Sequence, residues 1–451
     1  MLNIAQGNET VSSVAGITLV GGLLRRCPSL ERLDALRLDH TLRGRFPHSR
    51  AVVSSVLLAS LGLNDYTDIE EFSCDPVFLD AAGGAVPSEE TYRQRLEQLA
   101  ADGRAFGILD DANVELLQGV DPGRVKVNGK SYVPVDADVS VMAEPCSGRK
   151  EGVGWTYKGE NGYAPIFAYI GTAGYALAAE MRPGTQHCSK GALAFVERCV
   201  GLAGRLGLHP SKLLLRMDSG HDDHEFLAAL QGLGVKFIVK RNFRGADQEA
   251  VKELVKGSGR AWADDRDWSV CRATLPDGGD SEGRFGVEGI RQAAQLTVRR
   301  TDRNGQALLI PEEELECWWM NLDCSAATCI RLYHEHGTSE QCHAELKSDM
   351  RMERLPSGRQ RTNALVLACA LLALNCLRRI GRTGLDWSRH RRSVPRRKRM
   401  RERMRARTVI DGFLRVAGHV VRHAGAVTVK LGRTFRNFPM FEWVFHRCCL
   451  Q

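Results

Sequence analysis

No C-x-x-C pair occurs in the 451 residues, although the chain carries 14 cysteines. The usual zinc-site spacing is therefore missing, and nothing resembles a disulfide framework. Cys317, Cys324 and Cys329 are loosely grouped and Cys448–Cys449 are adjacent, which fits reduced thiols in a cytosolic protein. No targeting segment is visible, since Met1–Thr10 lacks a basic start leading into a long apolar run. The longest apolar run, Ala364–Cys376, is too short to span a bilayer and is expected to be a buried helix. No internal repeats are present. A cytoplasmic protein without membrane contact is the expectation, and 43% hydrophobic with 26% charged residues fits a folded globule of two to four domains.

Basic charge is concentrated in one stretch. Arg378–Arg407 holds fourteen Lys or Arg against Asp386 and Glu402, a local net of +12, so the remainder carries −4 of the overall +8. The natural partner of such a stretch is a polyanion.

Residues 1–125 are expected to be helical. Ser88 suits a helix cap, with Glu89 and Glu90 well placed against the helix dipole. That helix runs through Thr91–Leu96 and shows Arg93 and Arg95, and a second covers Ser49–Leu63. Two readings stay open, a small DNA-reading module and a helical packing domain.

Over 126–240 the pattern changes to strands. Ser131–Met142 alternates, Tyr163–Gly171 and Tyr175–Met181 flank the turn Thr172-Ala173-Gly174, and Leu213–Met217 and Val235–Lys240 follow. Helices are expected near Lys190–Leu206 and Asp222–Leu233. Strands joined by tight turns are antiparallel and strands joined through helices parallel, giving a mixed sheet flanked by helices. Residues 241–320 break this rhythm with short alternating runs and Gly/Asp clusters, a β-rich insertion. Helix returns near Tyr333 and continues to Met350 within a second core segment, 321–387, where a long apolar helix covers Thr362–Ile380. A basic C-terminal segment occupies 388–451.

Asp136 and Asp138 lie on one face of the first strand, because residues two apart point the same way. Asp218 follows the fourth strand, which a right-handed crossover sets beside the first. Two carboxylates that close repel unless a cation sits between them, and Mg²⁺ suits oxygen donors and phosphate. The alternative is that Asp218 merely caps the next helix. On a helix turning about 100° per residue, Tyr333, His336, Glu340 and Lys347 share one face and Glu345 falls on the other. Such a stripe suits a metal-bound phosphate, but it also suits a solvated polar face.

The spacing Tyr333-x2-His336-x3-Glu340-x6-Lys347 resembles the Y-x2-R-x3-E-x6-K signature of insertion-sequence DDE transposases with a β-strand insertion. The segments DADVSVM, KEGVGWTYKGENGYAPIFAYIGTAGY, LLLRMDSGHDD and YHEHGTSEQCHAELKSDM resemble the insertion-sequence 1380 family over about Tyr132–Leu374. The resemblance implies a ribonuclease H-like core interrupted by the β-rich insertion, with a helical N-terminal DNA-binding domain. It implies Asp138, Asp218 and Glu340 as catalytic metal ligands for two Mg²⁺ ions roughly 3.5–4 Å apart, with Mn²⁺ as a substitute. Asp138 rather than Asp136 takes the first place because Asp138-Val139-Ser140 fits the family's D-x-T/S pattern. Asp136 is left beside the site or on its substrate side, the alternative being that it replaces Asp138 as ligand. Lys347 and Tyr333 would hold DNA phosphate. His336 stands where the signature has arginine, so the clamp there is weaker or pH-dependent.

Trp318 and Trp319, at the exit of the insertion, are candidates for stacking on a base turned out of the duplex, or for core packing. In the basic stretch, Arg396, Arg397, Lys398 and Arg399 are expected on phosphate, the alternative being a solubilising tail. The activity implied is cleavage at terminal inverted repeats and strand transfer into target DNA by a homodimer, in a bacterial, nucleoid-associated setting. The alternatives are a non-catalytic or domesticated DNA-binding protein and a nuclease that only hydrolyses.

Overall fold

The computed structural model describes residues 3–4, 6–38, 46–144, 149–243, 247–275, 288–302, 304–389, 391, 403–423 and 426–450. After a short strand β1 (Val11–Ser12) come five helices: α1 (Thr18–Leu24), α2 (His48–Ser60), α3 (Pro76–Ala81), α4 (Glu89–Asp102) and α5 (Arg104–Leu117). Their starts have local causes. Asp75 accepts the Val77 and Phe78 amides ahead of a proline-led α3, and Ser88 accepts the Thr91 amide of α4. Gly103, at φ +88°, separates α4 from α5 in a conformation that a Cβ would strain. Arg95 was expected on the surface but is only 6% exposed, and Arg93 is paired with Glu90 and Glu97 at 2.7 and 2.8 Å. Arg95 is thus buried, while Arg93 stays half-exposed in ion pairs along its own helix.

The middle of the chain is a mixed sheet. In order come β2 (Val125–Val127), β3 (Lys130–Val139), β4 (Met142–Ala143), β5 (Gly154–Trp155), β6 (Asn161–Tyr163), β7 (Ile166–Ile170) and β8 (Tyr175–Glu180). Helix α6 (Ala192–Arg205), β9 (Leu213–Met217), α7 (His224–Gly232) and β10 (Lys236–Lys240) follow. Then come α8 (Asp247–Lys256), β11 (Trp262–Asp264), β12 (Trp268–Leu275), β13 (Arg291–Thr301) and β14 (Ala307–Met320). The main sheet runs β11-β12-β13-β14-β10-β9-β3-β7-β8, with β2 paired to β3. Strands β3, β9 and β10 are parallel, and the flanking pairs are antiparallel. Strands β4, β6 and β5 form a small sheet of their own.

Residues 241–320 supply the strands β11–β14 expected of a β-rich stretch, and these prolong the main sheet. Strand β14 pairs with β10 through Ile238–Met320, Val239–Trp319 and Lys240–Trp318. The region also contains a helix, α8, that the short alternating runs did not suggest. Its Val251 and Val255 are fully buried against Cys271, Ala273 and Leu315, one turn apart as an amphipathic helix requires.

The sheet is covered on both faces. Val133, Val135, Ala137 and Val139 of β3 pack with Phe195 and Cys199 of α6 and Leu227 and Leu230 of α7. The other face is covered by α9 (Ala326–His334) and by α11 (Gln360–Arg389), between which lie a 3-10 turn at 335–337, α10 (Thr338–Ala344) and a π-helical turn at 345–349. Helix α11 is long and apolar enough to cross a membrane by length and composition, yet 83% of its most apolar stretch is buried in protein. One apolar cluster joins it to α1, α2, α4, α5 and the C-terminal helix. Each fully buried leucine there, Leu365 and Leu374 among them, contributes about 1.5–3 kcal/mol. The chain closes with α12 (Ala406–Val409), the hairpin β15 (Gly418–His423) and β16 (Ala426–Leu431), which pairs with β1, and α13 (Phe438–Cys449).

Candidate catalytic site

Strands β3 and β9 run side by side with Asp136 opposite Arg216. Two residues along that register lie Asp138, near the end of β3, and Asp218, just past the end of β9. Since Val135, Ala137 and Val139 face α6 and α7, strand alternation turns Asp136 and Asp138 toward α9 and α10. Asp218 makes no capping hydrogen bond to the turn after it, and the cap of α7 is Asp223, which accepts the Phe226 amide. The cap that sequence alone allowed at Asp218 is therefore made five residues later.

The segment opposite is not the continuous helix expected from Tyr333 to Met350. It breaks at 335–337 and widens into a π turn at 345–349. The face is kept nevertheless. Asp138, Asp218, Tyr333, His336, Glu340 and Lys347 line one cavity of about 700 Å³. Glu345 lies on the opposite side as expected, 2% exposed and paired with Arg378 at 2.7 Å and Arg403 at 2.8 Å.

Asp136 is not open to a substrate. It is 3% exposed, and Arg216 grips both its oxygens at 2.6 and 2.8 Å. His336 Nδ1 lies 3.0 Å from the same carboxylate. Burial alone would raise the Asp136 carboxyl, but Arg216 and His336 outweigh it and hold it below the ordinary carboxylate range. Arg216 also donates to the Leu332 carbonyl at 2.6 Å, tying β9 to the end of α9. His336, expected as a phosphate clamp in place of arginine, is thus a buried partner of Asp136 at the cavity wall. That pairing joins β3 to the helix break and had no signal in the linear sequence.

His343 was not anticipated. It lies one helical turn beyond Glu340, the i+3 spacing that could have drawn attention to it. Its Nε2 is 3.5 Å from Asp138 Oδ2, and its ring packs edge-on against Phe167 and Tyr169. Burial pushes the Asp138 carboxyl up, but His343 and then His336 outweigh it, so Asp138 is held below its usual value. Asp218 contacts His221 Nδ1 at 2.7 Å.

The cavity's other groups are tuned by the same acids. Burial, then Asp218 and Asp138, push the Tyr333 hydroxyl well above its ordinary value. Lys347 donates to the Val141 carbonyl, and burial followed by the nearby Lys158 lowers its pKa. Glu340 sits exposed in the first turn of α10.

The donor chemistry fits a hard divalent cation, because Asp138, Asp218 and Glu340 offer carboxylate oxygens to one solvent-reaching cavity. Among the described residues, however, no three His, Cys, Asp or Glu side chains stand close enough together to hold a metal ion. The aspartates face His343 and His221 instead.

Trp318 and Trp319 are 0% and 1% exposed, so neither presents a face to a base. Trp319 donates to Asp222 at 2.7 Å and lies under the Arg241 guanidinium, 5.1 Å from its ring centre. Trp318 packs against Tyr333, centroids 5.7 Å apart. Arg396, Arg397, Lys398 and Arg399 lie outside the described residues. Other arginines of the basic stretch are used internally: Arg378 and Arg403 on Glu345, and Arg405 on Asp349 at 2.7 and 2.9 Å.

Fold and site together define a mixed α/β protein with an acidic cleft at the carboxyl ends of adjacent parallel strands. The chain belongs to the transposase DDE domain group 1 family, whose model matches residues 2–448. It is thus a DDE transposase, a class that cuts and joins DNA strands. Among solved structures, the chain is similar to the cryo-EM structure of the piggyBac transposase synaptic complex with hairpin DNA. The TM-score is 0.41 at 11% identity, over 90% of this chain and 83% of that one. Among curated proteins nothing matches.

Proposed function

We propose that this transposase cuts DNA at the terminal inverted repeats of its own element and transfers the freed 3′ ends into target DNA, using Asp138, Asp218 and Glu340 in a ribonuclease H-like core. The observation that carries this reading is the common cavity. Three carboxylates from β3, the end of β9 and α10 line it together with Tyr333 and Lys347. Membership of the insertion-sequence 1380 family, a homodimer pairing two ends, and a bacterial cytoplasmic setting extend the same reading.

The chain's own groups divide the work. His343 offsets the burial of Asp138 and favours the carboxylate form that a cation would meet. Asp218 and Glu340 complete an oxygen-donor set whose mutual repulsion favours a divalent ion between them. Mg²⁺, or Mn²⁺ in its place, supplies Lewis-acid polarisation of the phosphate when bound. Lys347 and Lys158 place positive charge at the cavity wall, where a DNA phosphate enters. The buried Arg216–Asp136–His336 set fixes the helix break, and with it the angle at which α10 presents Glu340.

The test is a cleavage and joining assay on duplexes carrying the ends of the element. Asp138→Asn, Asp218→Asn and Glu340→Gln are each expected to abolish divalent-cation-dependent cutting while binding to the ends persists. Undiminished cutting by any one of them removes that residue from the proposed triad.

A further inference from the structure

The burial of Trp318 and Trp319 leaves the cavity without the aromatic face assigned to them, yet another exposed ring, Tyr157, lines it, and Trp155 lies two residues before it. Trp155 is 65% exposed and Tyr157 is 67% exposed, both on the hairpin between β5 and β6. The turn that carries them is tightly held. The Thr156 amide and hydroxyl both donate to the Glu160 carbonyl at 2.9 Å, and the Gly159 amide donates to the Thr156 carbonyl at 3.0 Å. Gly159 has φ +76°, which a residue with a Cβ rarely adopts. Tyr157 and Lys158 therefore form the tip.

That tip reaches the acidic site. Tyr157 and Lys158 line the same cavity as Asp138 and Asp218. The Tyr157 hydroxyl donates to the Val139 carbonyl at 3.2 Å, fixing the tip one residue past Asp138. Burial, then Asp138 and Asp218, push the Tyr157 hydroxyl up to about 12, so it stays neutral at physiological pH. An exposed ring and a lysine lining an acidic cavity, on a rigid turn that carries a second exposed ring, match what an unpaired base with its phosphate requires: a flat apolar surface and a cation for the backbone.

We infer that the β5–β6 hairpin is a stacking platform for an unpaired nucleobase flanking the phosphate in the cavity, with Trp155 and Tyr157 offering ring faces and Lys158 holding the neighbouring phosphate. This rests on the DNA-cutting reading above and adds the site that receives the displaced base. Stacking of this kind tolerates any base, so the platform orients a strand without selecting its sequence.

The experiment uses the full-length protein and two fluorescein-labelled strands, an oligothymidylate of about 12 nucleotides and an abasic strand of equal length, titrated by anisotropy. Trp155→Ala is expected to weaken oligothymidylate binding roughly tenfold and to leave abasic binding unchanged, while Trp155→Phe retains most of the affinity. Lys158→Ala weakens both strands and reduces the salt dependence. Trp268→Ala changes neither; Trp268 is also exposed, at 39%, but lies on β12 toward the far edge of the sheet. Equal loss on both strands, or none, for Trp155→Ala overturns the platform. Wild-type protein that binds duplex but neither single strand also overturns it and leaves the transposase reading standing. Wild-type protein that binds no DNA overturns both.

Discussion

His343 Nε2 stands 3.5 Å from Asp138 Oδ2 while its Nδ1 lies 3.3 Å from the Tyr169 hydroxyl. One buried imidazole therefore links the aspartate of β3 to the helix that carries Glu340. Asp138 is held below the ordinary carboxylate range only because His343, with His336, outweighs its burial. In His343→Ala the burial of Asp138 loses its main opponent and the carboxyl titrates at higher pH. The acid limb of the cleavage profile is expected to move upward in pH, with turnover falling and affinity for the ends unchanged. A profile that merely drops in height at every pH would reduce His343 to packing.

Asp136 and Arg216 give a prediction about stability. The folded-state value of Asp136 lies below its unfolded value of about 3.9. The pair thus contributes stability above about pH 4 and loses it as the pH falls through the lower, folded-state value. Asp136→Asn leaves Arg216, 2% exposed, without its counter-charge and is expected to cost about 3–5 kcal/mol at neutral pH. Urea denaturation at several pH values measures both effects, and the acid-side decline should be shallower in the variant.

The ion pairs behind the π turn separate by burial. Glu345 and Arg378 are 2% and 4% exposed, whereas the Arg405 side chain is 58% exposed. Glu345→Ala, which strands a buried guanidinium, is expected to cost about 3–5 kcal/mol. Arg405→Ala is expected to cost less, about 1–3 kcal/mol, because its guanidinium is half in water while its buried partner Asp349, with a side chain 4% exposed, is left with the Arg407 amide. Chemical denaturation of the two variants checks the order, and the reverse order would show that the outer pair holds the C-terminal segment.

Trp319 is expected to matter for stability and not for base recognition. Trp319→Phe removes the donor to Asp222 and leaves that carboxylate short of one partner, a loss of about 1–3 kcal/mol by thermal unfolding. The same variant should bind oligothymidylate and abasic strands in the wild-type ratio. A selective loss on the strand that carries bases would return Trp319 to the DNA interface.

Much of the central fold was legible locally. Val133, Val135, Ala137 and Val139 fall at every second position, Leu213–Met217 is apolar but for Arg216, and Ser88 with its two glutamates marks the start of α4. The spacing from Tyr333 to Lys347 located the cavity wall although the helix there is broken. The break itself was not legible, because it is set by His336 meeting Asp136, about two hundred positions earlier. Arg216 was hidden for the same reason: a lone arginine in a buried strand declares itself only when its carboxylate partner is in place. The α8 signal was present in Val251 and Val255, with Asp247 and Glu249 at the start and Lys256 at the end, but it was obscured by neighbouring short alternating runs. The exposed Trp155 and the buried Trp318–Trp319 carry equal weight in a linear pattern. Only the packing of β14 against β10 and α9 decides which rings meet solvent.

That packing also gives β14 two unlike ends. Its 14 residues span roughly 46 Å at the usual rise. Leu309 and Ile310 protrude at one end, and Trp319, bonded to the loop behind Asp218, stands at the other. Trp319 therefore ties the inner end of this strand to the loop that follows Asp218, and a slip in the register of β14 on β10 would reach that loop directly.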